Sequence, residues 1–192
     1  MRRRVVVFGG SFDPPTLAHE EIIRICLQLP QFQQVWVMPS CNRADKQIAT
    51  SQAQRAAMLQ IVWREVFACD PRLVISDVEL QLGPPTQLRR TLEVLATQHA
   101  DVEFWFAYGG DAYADMANWE GAEDFMPSMR ALVFTEHGLP VTSDRVVRLH
   151  VPDAVQDMSS TQVRAAVARG EGVGAWVSAP VQRYITEHHL YR

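Results

Sequence analysis

Six short apolar runs, each bounded by turn residues, alternate with segments of helical period along this 192-residue chain. No other feature restricts the fold as much. The runs are Val5–Phe8, Val35–Met38, Leu73–Ile75, Phe104–Ala107, Ala131–Phe134 and Val146–Val151. The first four lack the polar–apolar alternation of a half-solvated strand, as expected where both faces are covered. Between them, Ala18–Leu29 sets Ile22, Ile23, Cys26 and Leu29 on one helical face. Gln52–Phe67 does the same with Ala56, Leu59, Trp63 and Val66 or Phe67. Further helices are predicted over Leu88–Gln98, Ala112–Met126, Ser160–Arg169 and Pro180–His188, the first of them after the Gly83-Pro84-Pro85 turn. Ser40–Ser51 reads as a polar loop over the site and Glu136–Asp144 as a second loop. Strand, helix, strand, helix in this order implies parallel crossovers and an open, doubly wound α/β sheet. Ligands of such sheets lie at the carboxyl ends of the strands, near the point where strand order reverses.

The length fits one domain over residues 1–192, and no repeat, low-complexity tract or linker interrupts it. A chain of this size buries roughly 70% of its unfolded surface, so its core needs neither disulfides nor a structural metal. Eighteen Lys and Arg against 22 Asp and Glu leave a net charge of -4, which disfavours a nucleic-acid partner but not a local anion site. The three cysteines, Cys26, Cys41 and Cys69, form no C-x-x-C pair and read as reduced thiols of a cytoplasmic protein. No apolar run approaches the length of a membrane span, and Val5–Phe8 is too short to serve as a signal-peptide core behind Arg2-Arg3-Arg4.

The strongest chemical signal is Val5-Val6-Val7-Phe8-Gly9-Gly10-Ser11-Phe12-Asp13-Pro14-Pro15-Thr16-Leu17-Ala18-His19. A buried strand runs into two glycines, a Pro-rich turn and a helix start. Glycine lets backbone approach a phosphate closely, and amides at a helix amino terminus supply donors and partial positive charge. The pattern is neither G-x-G-x-x-G nor a Walker loop, since no Gly-Lys-Ser/Thr follows. Thr16 and His19 stand three apart and face one side of the helix start, where both can donate to phosphate oxygens. The alternative makes Thr16 a helix cap and His19 a surface residue.

A second signal is Met158-Ser159-Ser160-Thr161-Gln162-Val163-Arg164. Ser159 and Gln162 have capping-box spacing. Three consecutive hydroxyl residues at a helix start, with Arg164 in its first turns, also build an anion site. One helix terminus can serve both purposes.

The first segment resembles the G-[ST]-F-[DN]-P-x-[HT]-x-x-H signature of the HxGH nucleotidyltransferase superfamily, and the second resembles its I-S-S-T-x-[IV]-R signature. Within that superfamily the chain is similar to the bacterial nicotinate mononucleotide adenylyltransferases. Gln54–Leu59, Val74–Leu80, Tyr108–Ala112 with Trp119, and Val181–Tyr191 resemble stretches of the same family. Thr16 stands where most members carry a histidine, and Ala18 where they carry glycine. Threonine at the first place also occurs in phosphopantetheine adenylyltransferases and in the animal nicotinamide mononucleotide enzymes.

The resemblance implies a Rossmann-like sheet and transfer of AMP from ATP to nicotinate mononucleotide, giving deamido-NAD and pyrophosphate. It implies catalytic roles for His19, Thr16 and Arg164, and ATP contacts from Gly9, Gly10, Ser11, Phe12, Gly110, Asp111, Ser159, Ser160 and Thr161. Mg²⁺ would arrive with ATP, without a metal site on the protein; nucleic acid and membrane are not expected partners, and homo-oligomerisation stays open. Gly110 and Asp111 are alternatively a plain helix cap. Trp119 either stacks on the acceptor's pyridine ring or belongs to the core. Lys46 would meet the acceptor phosphate as a point charge. Asp77 and Glu79 read as surface or capping carboxylates, the tail as a packed helix, and His188 and His189 as solvated.

Departures from the family gather on the acceptor side, at Arg43-Ala44-Asp45-Lys46, Thr86-Gln87-Leu88, Arg90 and Thr135-Glu136. They leave nicotinamide mononucleotide and phosphopantetheine as alternative acceptors, and a non-catalytic nucleotide sensor as an alternative of another class.

Overall fold

Val5, Val6, Val7 and Phe8 form the centre of a six-stranded sheet, with every strand parallel to its neighbours. The computed structural model describes residues 2–41, 48–84, 87–135 and 143–192. The strands are β1 (Arg3–Gly10), β2 (Gln34–Pro39), β3 (Leu73–Ile75), β4 (Val102–Gly109), β5 (Ala131–Thr135) and β6 (Val146–His150). Their order is β3-β2-β1-β4-β5-β6, so strand order reverses between β1 and β4. Val5–Phe8 pairs with Gln34–Val37 on one side and with Phe104–Ala107 on the other. This is the doubly wound, Rossmann-like sheet that the alternating runs imply.

The helices are α1 (Leu17–Gln28), α2 (Gln52–Ile61), α3 (Val78–Leu82), α4 (Leu88–Gln98), α5 (Gly110–Asp115), α6 (Ala122–Phe125), α7 (Asp153–Gln156), α8 (Ser160–Ala168) and α9 (Ala179–Glu187). The pleat divides β1 between two cores. Val6 and Phe8 pack with Ile23 and Cys26 of α1 and Leu59 of α2, while Val5 and Val7 pack with Leu95 of α4 and Phe125 of α6. Each fully buried Val or Leu side chain contributes roughly 1.5–3 kcal/mol. A third cluster joins Met58 of α2 to Val163 and Ala166 of α8, Val181 and Ile185 of α9, and Leu190. It docks the amino terminus of α8 beside that of α1.

Four local features differ from the sequence reading. The helix expected over Gln52–Phe67 leaves α geometry at Ile61 and finishes as a π-helical turn, Val62–Val66, followed by Ala68 and Cys69 in the left-handed region. The helix expected over Ala112–Met126 breaks after a 3₁₀ turn, Met116–Asn118, and restarts at Ala122. Gly121, with φ 74°, supplies the left-handed residue at that restart. Two short helices, α3 and α7, span too few residues to show a period. Glu79 is not a surface carboxylate: it is buried and accepts a hydrogen bond from Thr91 Oγ1 at 3.1 Å. Asp77 is exposed and bonded to Gln81, and His188 and His189 are exposed as expected. Among the described residues no helix is long and apolar enough to cross a membrane. The expectation for Lys46 lies outside the described residues, with the rest of Arg43–Lys46, Thr86 and residues 136–142 of the second loop.

Candidate active site

The two glycines that end β1 have different physical reasons. A Cβ on Gly10 would sit 3.1 Å from the ring tip of Phe12, which is buried and packed edge-on against Phe8. Phe12 itself takes a left-handed φ of 50°, folding the turn back under the strand. A Cβ on Gly9 would meet nothing within 4 Å. Gly10 therefore makes room for the turn, whereas Gly9 leaves open space above the end of the strand.

The turn delivers the chain into α1 through a reciprocal cap. Thr16 Oγ1 accepts from His19 N–H at 3.4 Å, and His19 Nδ1 accepts from Thr16 N–H at 2.9 Å. A backbone N–H can only donate, so Nδ1 is an acceptor and the hydrogen of a neutral imidazole sits on Nε2. Thr16 is fully buried, and its hydroxyl lies 2.8 Å from Nδ1. The imidazole is further held by Phe12 and Phe8, at centroid distances of 5.1 and 5.9 Å. Thr16 is thus a helix cap, and His19 is a half-buried residue with a fixed tautomer rather than a surface side chain. The cap is what orients the imidazole.

The second signal folds onto the first. Ser159 and Gln162 form the expected capping box at the start of α8. Ser160 Oγ donates to Pro14 O at 2.8 Å, and Arg164 Nη1 donates to Asp13 O, also at 2.8 Å. Arg164 Nη2 reaches Thr161 Oγ1 at 3.3 Å. Leu17 N–H, in the first turn of α1, donates to Trp176 O at 2.8 Å. Two helix amino termini, with their partial positive charges, thereby meet at the carboxyl end of β1. Thr16 and His19 bond to each other, Arg164 bonds to Thr161, and Ser160 and Arg164 reach the first motif through the carbonyls of Pro14 and Asp13, with Ser159 adjoining as the cap of α8.

Gly110, Asp111 and Trp119 reach the same end of the sheet from β4. Gly109 is the N-cap of α5, and a Cβ on Gly110 would press on Thr135 Cγ2 at 3.0 Å. Asp111 is exposed in the first turn of α5. Trp119 is half-buried: its ring meets Tyr108 edge-on at 6.1 Å, and its Nε1 donates to Asp115 at 3.2 Å. It packs at the margin of the second core and keeps part of its surface in solvent.

Several structurally central polar residues, Arg55 apart, carry no signature in local sequence. Asp13 is 2% exposed, and its carboxylate accepts from Ala49 N–H at 2.7 Å, Thr50 Oγ1 at 2.6 Å and Tyr191 hydroxyl at 2.8 Å. Arg55 is 0% exposed, and Nη1 donates to Ser11 O at 2.8 Å. Burial lowers the pKa of the Arg55 guanidinium, and Asp13 opposes that shift. The spacing Arg55, Met58, Leu59 did hold a signal, because it sets a guanidinium on the buried face of α2. Among the described residues Arg55 Nε, Ser11 Oγ and Ser40 Oγ are buried without a hydrogen-bond partner. Among the described residues no three His, Cys, Asp or Glu side chains gather as a metal cage.

A Rossmann-like sheet with two capped helix starts converging at the carboxyl end of its central strand is the architecture of a nucleotide-handling protein. The chain belongs to the cytidylyltransferase-like family of nucleotidyltransferases, whose family model matches residues 7–166. It is 31% identical, over 100% of its length and 95% of the relative's, to a probable nicotinate-nucleotide adenylyltransferase of Clavibacter michiganensis subsp. michiganensis. A probable nicotinate-nucleotide adenylyltransferase of Lactiplantibacillus plantarum is 28% identical, over 98% of this chain and 88% of the relative. The fold matches that of Plasmodium falciparum nicotinic acid mononucleotide adenylyltransferase complexed with NaAD. That match has a TM-score of 0.88 at 20% identity, over 98% of this chain and 97% of the other.

Proposed function

We propose that the protein transfers AMP from ATP to nicotinate mononucleotide, yielding deamido-NAD and pyrophosphate in a cytoplasmic setting. The observation that carries this reading is the hydrogen-bonded junction of the two helix starts, Ser160 to Pro14 O and Arg164 to Asp13 O. The acceptor follows from the activity named for the relatives. An oxygen of the acceptor phosphate attacks the α-phosphorus in line, forming a P–O bond as the bond to the bridging α,β oxygen breaks. The electron pair leaves with pyrophosphate. The attacking phosphate is already ionised, so the step requires no general base and no covalent enzyme intermediate.

Catalysis of this kind rests on positioning and charge stabilisation. His19 Nε2–H donates to an α-phosphate oxygen as its charge grows, with Nδ1 held by Thr16. Ser159, Ser160, Thr161 and Arg164 hold the β- and γ-phosphates, and Gly9 lets the nucleotide approach. Gly110 and Asp111 serve the ribose, and the exposed part of Trp119 serves the pyridine ring. Mg²⁺, bound as part of the MgATP substrate, would supply screening of the phosphate charges. The described donor set fits a metal carried on phosphates rather than one caged by the protein.

The test is pyrophosphate release from ATP and Mg²⁺ with nicotinate mononucleotide, nicotinamide mononucleotide or phosphopantetheine as acceptor. Release with nicotinate mononucleotide is expected. Preference for another acceptor replaces the substrate, and ATP binding without release from any of them overturns the catalytic reading.

A further inference from the structure

The carboxylate of Asp13 is tied to two distant parts of the chain. Thr50 and Ala49, just before α2, hold it from one side, and Tyr191, beyond α9, holds it from the other. The backbone of the same residue receives the second phosphate motif, since Asp13 O accepts from Arg164 Nη1 and Pro14 O accepts from Ser160 Oγ. The Asp13–Pro14 turn is therefore a joint: its carbonyls seat α8, and its carboxylate sets how those carbonyls are presented. Tyr191 reaches the joint with its own backbone in the left-handed region, φ 64°, which non-glycine residues rarely adopt. Its ring packs on the cluster of Met58, Val163 and Val181, while its hydroxyl leaves that cluster to meet Asp13. An unusual backbone and a buried hydroxyl thus converge on one carboxylate oxygen.

We infer that Tyr191 is a positioning residue for the nucleotide site, acting through Asp13 to hold Arg164 where it grips the departing phosphates. The inference rests on the adenylyltransferase reading above. Tyr191 touches no reacting atom in this scheme. Burial, reinforced by the Asp13 carboxylate, raises the pKa of its hydroxyl, so it remains a donor across the working pH range. A carboxylate held by three donors from two separate segments keeps one orientation; losing the only donor of one segment lets the turn rotate and the guanidinium drift.

Tyr191→Phe removes the hydroxyl and keeps the ring. The expected result is a KM for ATP raised about 5- to 20-fold, the size of one partly transmitted charge-assisted hydrogen bond, with the acceptor KM unchanged. The double variant Tyr191→Phe/Arg164→Ala separates positioning from mere structure. If Tyr191 works through Arg164, the tyrosine change adds nothing further to KM for ATP once the arginine is gone. Binding of a non-hydrolysable ATP analogue by calorimetry gives the same comparison without turnover. An unchanged ATP KM in Tyr191→Phe, equal changes in both KM values, or full additivity in the double variant overturns the inference. An inactive wild-type protein would instead overturn the adenylyltransferase reading, which keeps the two failures distinct.

Discussion

Replacing His19 with glutamine separates the two functions that one imidazole combines. In the structure Nδ1 accepts from Thr16 N–H at 2.9 Å and closes the cap of α1. Glutamine is the ordinary partner at this place in a capping box, and its Oε1 can accept the same N–H. What glutamine cannot supply is the donor fixed at the position of Nε2. It also loses the ring contacts to Phe12 and Phe8, and aromatic contacts of this sort contribute about 0.5–1.5 kcal/mol. The expected loss of stability is therefore about 1 kcal/mol, or roughly 2–4 °C in Tm for a chain of this size. Loss of one preorganised donor to a phosphate oxygen lowers kcat by about 10²–10³, equivalent to about 2.7–4 kcal/mol of transition-state stabilisation. His19→Ala should show the same kcat loss with a larger fall in Tm, because the cap is lost as well. Pyrophosphate release at saturating substrates, paired with thermal melts of the same preparations, reads both quantities. A near-wild-type kcat in His19→Gln would refute the argument and leave His19 as a capping residue alone.

The two glycines of β1 should respond in opposite ways. Gly10→Ala should destabilise by about 1–3 kcal/mol, because the new methyl meets a buried ring with little room to move. Gly9→Ala should melt close to wild type yet weaken ATP binding, and calorimetry with thermal melts tests the pair. Burial raises the pKa of the Glu20 carboxyl, against the opposing influence of the neighbouring Ser178 hydroxyl and the charge of Arg24. The folded state then holds its proton more tightly than the unfolded chain, so the stability it contributes is full below pH 4.5 and is lost as pH rises through the folded pKa. Glu20→Gln should accordingly raise Tm relative to wild type near neutral pH, with the difference vanishing near pH 4. Burial pushes the Cys26 thiol up to about 12, and Cys41 is buried too, so native protein should release one thiol equivalent promptly to a disulfide reagent, from Cys69. Denaturation should expose all three thiols.

The sheet was legible because Val5–Phe8 and its companions are apolar on both faces, and period-2 and period-3.6 patterns differ sharply. Both helix starts were legible for a chemical reason: Thr16 with His19, and Ser159 with Gln162, are reciprocal caps whose spacing is set by the helix itself. The break at Trp119 was hidden, because Ala112–Met126 keeps an apolar period through a turn that Gly121 makes possible. Asp13 and Tyr191 were hidden for another reason. Their partners lie 36 to 178 positions away, and local spacing carries no information about contacts at that range. The buried side of Glu79 escaped in the same way, since its partner Thr91 belongs to the next helix.

The junction between the two helix starts also bears on how the candidate site is assembled. Asp13 and Ala49 are 36 residues apart, whereas Asp13 and Arg164 are 151 apart. Closing the longer loop costs about 1 kcal/mol more in chain entropy if the two segments search independently. The third cluster lessens that search, since Met58 gathers α8 and α9 against α2 once the sheet is in place. The turn at Asp13–Pro14 thus belongs to the first part of the chain, whereas Ser160 and Arg164, which bond to its carbonyls, come from the last. ATP affinity is then expected to report the joining of these two segments rather than the ordering of the sheet.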